Sequence, residues 1–323
     1  MSSIPSIQAA PDTVYPVASI STMYFVGVTT AHSSSMRVFP QWARQLGLGD
    51  VALVGVDCAL HDAPQTYRRI VEHIKSDALT LGALVTTHKL DLLAASRDMF
   101  DELSPHAAMM NEVSSIYKRG QRLLGHATDP VAGGRALDAI LPADHWAKTG
   151  AEAFVLGAGG SSTAITCHLI EQSTGPERIV ISNRSAGRLD AIRSVHEQIG
   201  CPIPIEYHHT PTAEDNDALF NEMKPGSLVI NATGLGKDAP GSPITDAAQF
   251  PLGAIAWDFN YRGDLMFLDQ ARAQQKQREL KIEDGWIYFI HGWLGVIADV
   301  FNIDPPTTGK ELEALSAIAA EYR

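Results

Sequence analysis

The chain has 323 residues, of which 45% are hydrophobic and 19% charged, and its formal net charge is −12. This composition fits a soluble globular protein of one large or two medium domains and excludes the disordered and fibrous classes. The acidic balance, with no Lys/Arg-rich run to offset it, argues against a nucleic-acid backbone or an acidic membrane as partner.

Cys58, Cys167 and Cys201 are too few and too scattered for a disulfide framework or a zinc knuckle, which fits a reducing, cytoplasmic setting. No uncharged apolar stretch reaches the roughly 18 residues that span a bilayer. Residues 1–22 lack a basic start and a continuous apolar core, so they read as a flexible arm and not as a signal peptide.

From there the chain alternates strands and helices. Met23–Val28 reads as a buried strand, Ser35 to Leu46 as a helix, and Val51–Val56 as a second strand. Pro64 to Lys75 carries helical apolar spacing at Tyr67, Ile70, Val71 and Ile74. Ala83–Thr86 is a third strand, which runs into Thr87-His88-Lys89. Helical stretches follow over Lys89–Met99 and Pro105–Met110. Val113–Tyr117 and Arg122–Gly125 then form a hairpin turned by Lys118–Gln121. Val131–Leu141 reads as a linking helix.

The second half is more regular. Strands are expected at Phe154–Leu156, Arg178–Ser182, Ile205–His208, Ser227–Asn231 and Ala254–Phe259. Helices are expected at Ser161–Glu171, Ala186–Gln198 and Ala213–Met223. This alternation implies a doubly wound parallel sheet. The apolar run Trp286–Phe301 and the amphipathic Gly309–Tyr322 read as closing helices that return to the first domain. The expected fold is therefore α/β in two domains: a flexible arm over 1–22, a substrate and catalytic domain over 23–129, a Rossmann-type domain over 130–284, and closing helices over 285–323.

The chemistry centres on Phe154–Ala164. An apolar strand ends in Gly157, Gly159 and Gly160 and then turns helical through Ser161, the form of a phosphate-cradling loop at a helix N-terminus. Ser162 stands where the full glycine fingerprint would have its last glycine, so the loop alone is only moderately specific. The next strand ends in Asn183-Arg184-Ser185, followed by Arg188. No acid appears before Asp190 to accept hydrogen bonds from a free ribose hydroxyl. Two guanidiniums there complement a 2′-phosphate and favour NADP over NAD, the bland alternative being solvated charges at a helix start.

Eight motifs in order resemble those of the shikimate dehydrogenases and their quinate/shikimate dehydrogenase-like relatives, from Phe25 onward. They are His32-Ser33-Ser34-Ser35, Thr87-His88-Lys89, Ala127-Thr128-Asp129, Gly157-Ala158-Gly159-Gly160, Asn183-Arg184-Ser185, Asn231-Ala232-Thr233-Gly234, Asp258-Phe259-Asn260-Tyr261 and Asp284-Gly285. The resemblance implies an NADP-dependent oxidoreductase in which Lys89 and Asp129 manage a proton. It adds Asn231, Ala232 and Thr233 to the cofactor loops, and it makes Ser33, Ser35 and Tyr261 the holders of a substrate carboxylate.

The residues are compatible with those roles. Lys89 follows a buried strand at the end where α/β sheets place ligands, and a desolvated lysine beside a carboxylate is a workable base. The plainer readings are a surface lysine and, for Asp129-Pro130, ordinary helix-start chemistry. Two hydroxyls at a turn into a helix, Ser33 and Ser35, can donate to an anionic oxygen, and one of them can also simply cap the helix.

Departures from the family pattern fall on the groups that would read ring hydroxyls. The asparagine and threonine before the family's Pro-His-Lys fall on Ala83 and Val85, or on Leu84 and Thr86 if one residue is deleted. A second asparagine becomes Ser114, a third Ala127, and a glutamine becomes Gly292 beside His291. Phe39 and Pro40 replace a histidine and an asparagine. A buried hydroxyl needs a partner, so the expected substrate is a cyclic carboxylate other than plain shikimate, with Thr87, Ser114 and His291 lining its site.

A genuine shikimate or quinate dehydrogenase, compensated by water or His291, and an NADP-binding sensor remain the alternatives. Among the twelve histidines no ligand spacing supports a metal. The resemblance leaves monomer or homodimer open.

Overall fold

In the computed structural model, which describes residues 6–237 and 239–323, the chain divides into two units. The first holds residues up to Thr128 and from Ile290 onward, and the second holds Asp129–Phe289.

The first unit is built on a seven-stranded sheet. Its strands are β1 (Ser6–Gln8), β2 (Ser21–Gly27), β3 (Val51–Asp57), β4 (Thr80–Val85), β5 (Glu102–Leu103), β6 (Ser115–Arg119) and β7 (Arg122–His126). Their order is β1-β3-β2-β4-β6-β7-β5. The first four run parallel, and β6 joins β4 antiparallel. The helices are α1 (Ser35–Gln45), α2 (Pro64–Ser76), α3 (Lys89–Ser96) and α4 (Pro105–Met110). Pro64 opens α2, where a missing N–H costs nothing, and Tyr67, Ile70, Val71 and Ile74 bury one face of it.

Several expected bounds shift. The helix expected to reach Met99 ends at Ser96 and continues as a 3-10 turn, and the hairpin begins at Ser115. The flexible arm expected over 1–22 lies outside the described residues for 1–5. From Ser6 on it is built in: β1 pairs with β3, Tyr15 is buried and stacks on His73 at 5.2 Å, and the Ala18 amide donates to Asp77 at 2.8 Å. No periodicity marks a three-residue edge strand, so the sequence pattern had nothing to show there.

The second unit opens with α5 (Asp129–Ile140) and α6 (His145–Thr149). Its parallel strands are β8 (Ala153–Leu156), β9 (Ile179–Asn183), β10 (Ile205–His209), β11 (Leu228–Asn231), β12 (Ile255–Asp258) and β13 (Lys281–Glu283). The order β10-β9-β8-β11-β12-β13 is the doubly wound arrangement expected. Successive residues feed different cores: Val155, Ile181, Ile230 and Trp257 lie in one cluster, and Phe154, Val180, Val229 and Ala256 in the other. A strand with both faces covered has to be apolar throughout, which is why these runs were so readable.

Between the strands lie α7 (Gly160–Glu171), α8 (Ala186–Ile199), α9 (Ala213–Phe220) and α10 (Met266–Arg278). Thr212 and Asp215 cap α9 reciprocally, and α10 with β13 had no expectation from the sequence. The division between the units falls inside α11 (Trp286–Phe301). The last helix, α12 (Gly309–Ala320), docks on α1 in the first unit, where the Trp42 indole donates to the Leu315 carbonyl at 2.8 Å. No described helix is long and apolar enough to cross a membrane.

Candidate active site

The glycine loop of the second unit is set by backbone geometry. Gly157 leaves β8 with φ +110, its amide donating to the Ser182 carbonyl at 2.8 Å. A Cβ on Gly157 would sit 2.8 Å from the Ala232 carbonyl oxygen, so the loops after β8 and β11 meet with no room for a side chain. A Cβ on Gly159 would meet nothing within 4 Å, leaving the approach to the α7 N-terminus open. No acid occupies that first turn. Further along, Gly134 of α5 lies against the His168 ring of α7, where a Cβ would come within 2.3 Å, so small residues let the two helices pack closely.

At the end of β9, Asn183 Nδ2 donates to the Ser185 carbonyl at 3.0 Å. His209 Nε2 donates to the Arg184 carbonyl at 3.1 Å, which fixes its tautomer and ties the turn to β10. Arg184 and Arg188 are exposed and enter no ion pair among the described residues.

After β11, Asn231 is fully buried. Its Oδ1 accepts from the Thr233 amide (3.1 Å) and hydroxyl (2.7 Å), and its Nδ2 donates to Asp258 at 2.9 Å. Burial pushes the Asp258 carboxyl up to about 6, against the bonds from Asn260 and Asn231 that favour its charged form. Tyr261 packs against Trp286 and Phe289, with centroids at 5.3 and 4.8 Å. Asp129 is the first residue of α5.

In the first unit the serine turn precedes α1. The Ser33 hydroxyl donates to Ser35 Oγ at 3.0 Å and accepts from the Ser35 amide at 3.3 Å. The expected pair of hydroxyls is thus assembled, with Ser35 buried and Ser33 half-buried. Ser34, at the helix cap, makes no side-chain cap bond.

Lys89 is the first residue of α3, half-buried beyond the end of β4. Ahead of it, Thr87 is exposed and takes φ +62, a conformation that a β-branched residue adopts only under strain and that a proline cannot take at all. The backbone before the lysine therefore follows a path that a proline at this position would forbid. His88, 1% exposed, holds the turn from beneath. Tyr67 Oη accepts from the Asp62 amide at 3.1 Å and is hydrogen-bonded to His88 Nδ1, also at 3.1 Å. Burial pushes the His88 imidazole below its ordinary range, which keeps it neutral.

Ser114 is buried and turned inward. It accepts from the Thr128 amide at 2.8 Å and bonds the Thr128 hydroxyl at 2.9 Å. His291 is buried on the part of α11 in this unit, and a side chain at the neighbouring Gly292 would meet nothing within 4 Å. Ala83, Leu84 and Val85 are all buried, so among the positions where the family's asparagine and threonine would fall only Thr86, just past β4, presents a partly exposed polar group. Among the described residues no group of three or more His, Cys, Asp or Glu side chains is placed to hold a metal ion.

No protein-family model matches the chain. A curated relative named shikimate dehydrogenase (NADP(+)), from Rhodopseudomonas palustris strain BisB18, is 30% identical over 294 residues, covering 90% of this chain and 94% of the relative. The chain belongs to the shikimate dehydrogenase family.

Solved structures agree on the fold. The quinate dehydrogenase from Corynebacterium glutamicum in complex with NAD superposes with a TM-score of 0.73 at 16% identity, covering 94% of this chain and 99% of that one. The shikimate 5-dehydrogenase from Thermus thermophilus in complex with NADP(H) and shikimate gives 0.67 at 23% identity, with the same two coverages.

Within this shikimate dehydrogenase family member, the residues expected from the motifs divide between the units. Ser33, Ser35, Thr87, Lys89, Ser114 and His291 belong to the first, and Asp129, Tyr261 and all the cofactor-loop residues to the second. Reasoning from the sequence missed the groups that hold these turns: Asp57, Thr30, Tyr67 with His88, and Thr128. Only His88 and Thr128 had a local signal, because each sits inside a motif.

Proposed function

We propose that this family member is an NADP-dependent dehydrogenase that transfers hydride between NADP(H) and a hydroxylated cyclic carboxylate other than plain shikimate. The observation that carries this reading is the polar inventory of the first unit. The paired hydroxyls suited to a carboxylate are assembled at Ser33 and Ser35, while most of the groups suited to ring hydroxyls are gone or turned away and only Thr86 remains partly exposed. Ser114 is engaged by Thr128, Gly292 carries no side chain, and Ala83–Val85 are apolar and buried. A site that leaves a substrate hydroxyl without a partner discriminates against that substrate strongly.

The choice of NADP rests on the second unit. The open approach at Gly159, the α7 N-terminus without an acid, and the free guanidiniums of Arg184 and Arg188 suit a pyrophosphate and a 2′-phosphate. NADP+, when bound, supplies the hydride acceptor. On our reading Lys89 takes the substrate's hydroxyl proton as the C–H hydride departs, and returns it in the reverse direction. Asp129 accepts a hydrogen bond that orients this exchange, and Ser33, Ser35 and Tyr261 hold the carboxylate oxygens.

The test is NADP+ reduction, followed by nicotinamide absorbance, over a panel of hydroxylated cyclohexane and cyclohexene carboxylates with shikimate included. The expected outcome is turnover of a panel member well above that of shikimate, with Lys89→Ala lowering kcat by roughly 10²–10⁴-fold. Shikimate as the best substrate by a wide margin overturns the substrate reading. NADPH binding without turnover of any member points instead to a sensor, and tighter binding of NADH than NADPH removes the role given to Arg184 and Arg188.

A further inference from the structure

We infer that Asp57 and Thr30 form a clamp that positions the Ser33–Ser35 turn, and so sets this protein's affinity for the carboxylate of its substrate. The inference rests on the proposed role of those serines and deepens it. It begins with a part of the first unit that no motif marks.

Asp57 ends β3, and its Oδ1 accepts two hydrogen bonds from one residue: the Thr30 amide at 2.7 Å and the Thr30 hydroxyl at 2.6 Å. Thr30 is 1% exposed and opens the 3-10 turn Thr30–His32. The carboxylate thus satisfies the first amide of a helical turn, one that no preceding carbonyl can reach.

From Thr30 the bonds run directly to the serines. The Thr30 carbonyl accepts from the Ser33 amide at 2.9 Å, and the Ser33 carbonyl accepts from the Met36 amide at 3.2 Å as α1 begins. The Ser33 hydroxyl sits between, bonded to both the amide and the hydroxyl of Ser35. Ser34 supplies no side-chain cap to α1, so the anchor of this turn is at its Thr30 end.

The strand beneath is shaped for the clamp. A Cβ on Gly55 would lie 2.1 Å from Thr30 Oγ1 and 3.2 Å from Ser6 Cβ, so only glycine allows Thr30 to lie over β3. Asp57 is itself fixed, its carbonyl accepting from the Ala9 amide at 2.8 Å and from Gln8 Nε2 at 3.0 Å. The N-terminal strand β1 therefore buttresses the residue that holds the turn.

Two hydroxyls recognise a carboxylate well only if their directions are fixed before it arrives, because ordering them on binding subtracts from affinity. Asp57 and Thr30 point at each other, so they act through the turn and are positioning residues.

The experiment compares Thr30→Val, Thr30→Ser and Asp57→Ala with the parent, using the best carboxylate of the panel. It measures KM, kcat and the NADPH dissociation constant. Thr30→Val keeps the side chain's shape and removes the hydroxyl, whereas Thr30→Ser keeps the hydroxyl. Expected are a KM raised about tenfold in Thr30→Val and more in Asp57→Ala, kcat within about threefold, unchanged NADPH affinity, and Thr30→Ser close to the parent.

Because turnover of the panel is itself a proposal, the affinity of 3,4-dihydroxybenzoate, an unreactive cyclic carboxylate, is measured alongside by calorimetry in the presence of NADPH. Weaker binding in Thr30→Val with recovery in Thr30→Ser supports the clamp even if no panel member is turned over. Hydrogen exchange across residues 29–36, faster in Asp57→Ala while β2 and β3 stay protected, supports it where that variant folds. Unchanged carboxylate affinity in Thr30→Val, or a loss that Thr30→Ser shares fully, overturns it.

Discussion

The turns of the first unit and the loops of the second are held by different means. In the second unit, backbone shape does most of the holding. Gly157 takes φ +110 against the Ala232 carbonyl, Gly159 leaves the helix end bare, and Gly134 admits His168. In the first unit, residues from other elements hold the turns: Asp57 at the end of β3 for Thr30, Tyr67 of α2 through His88 for the turn before Lys89, and Thr128 beyond β7 for Ser114. A dinucleotide is the same molecule in every protein that binds it, so a backbone cradle suffices. A particular substrate needs hydroxyls aimed in particular directions, and aiming takes partners from elsewhere in the chain.

The largest effect that would sharpen this contrast is expected at Gly157. Gly157→Val forces a branched side chain to φ +110 and drives its Cβ into the Ala232 carbonyl. Strain and overpacking together should cost roughly 3–5 kcal/mol of stability, measured by urea unfolding, and should abolish NADPH binding at micromolar concentrations. Retention of NADPH affinity would mean that the loop is not held by shape.

A second test probes a buried side-chain network of the second unit. His196 is 2% exposed, with Nε2 bonded to the Thr166 hydroxyl and Nδ1 to Tyr207 Oη, both at 2.8 Å. Burial pushes it from 6.5 down to about 4. The unfolded chain therefore binds a proton that the folded chain refuses between those values. The contribution of His196 is full above about 6.5 and is lost as pH falls towards 4, by up to about 3 kcal/mol.

Asp258, raised to about 6 by burial, has the opposite sign, since its contribution is lost as pH rises through that value. Comparing His196→Phe with the parent at each pH cancels the Asp258 term. The variant should be about 2 kcal/mol less stable at pH 7 for its two lost hydrogen bonds, and the deficit should shrink at pH 4.5. A deficit independent of pH would show that His196 is not held neutral.

The smallest effect is expected at Ser114. Its hydroxyl is engaged within the first unit, so Ser114→Ala should cost about 1–2 kcal/mol of stability and change kcat/KM by less than about threefold. A large rise in KM with stability unchanged would make Ser114 a reader of the substrate after all, and would bring the first unit closer to the expectation drawn from its sequence.

How much was legible follows the same line. The strands of the second unit could be read because, buried on both faces, they are continuous apolar runs between glycine-marked turns, and their doubly wound order followed from the alternation. In the first unit α2 was legible from its Tyr67-Ile70-Val71-Ile74 face. The built-in segment from Ser6 was not, because a three-residue edge strand and a single stacked tyrosine leave no period to detect.

The chain's pattern of apolar residues, glycines and short motifs was enough for the fold class, the family and the cofactor. Those features are local: a period, a turn or a helix start is written within a dozen residues. The Thr87 backbone at φ +62, the inward turn of Ser114, and the grip of Asp57 on Thr30 from 27 residues away came only with the folded chain. Each depends on which strand ends lie side by side, and sheet order brings such residues together without leaving a mark in the sequence around any one of them.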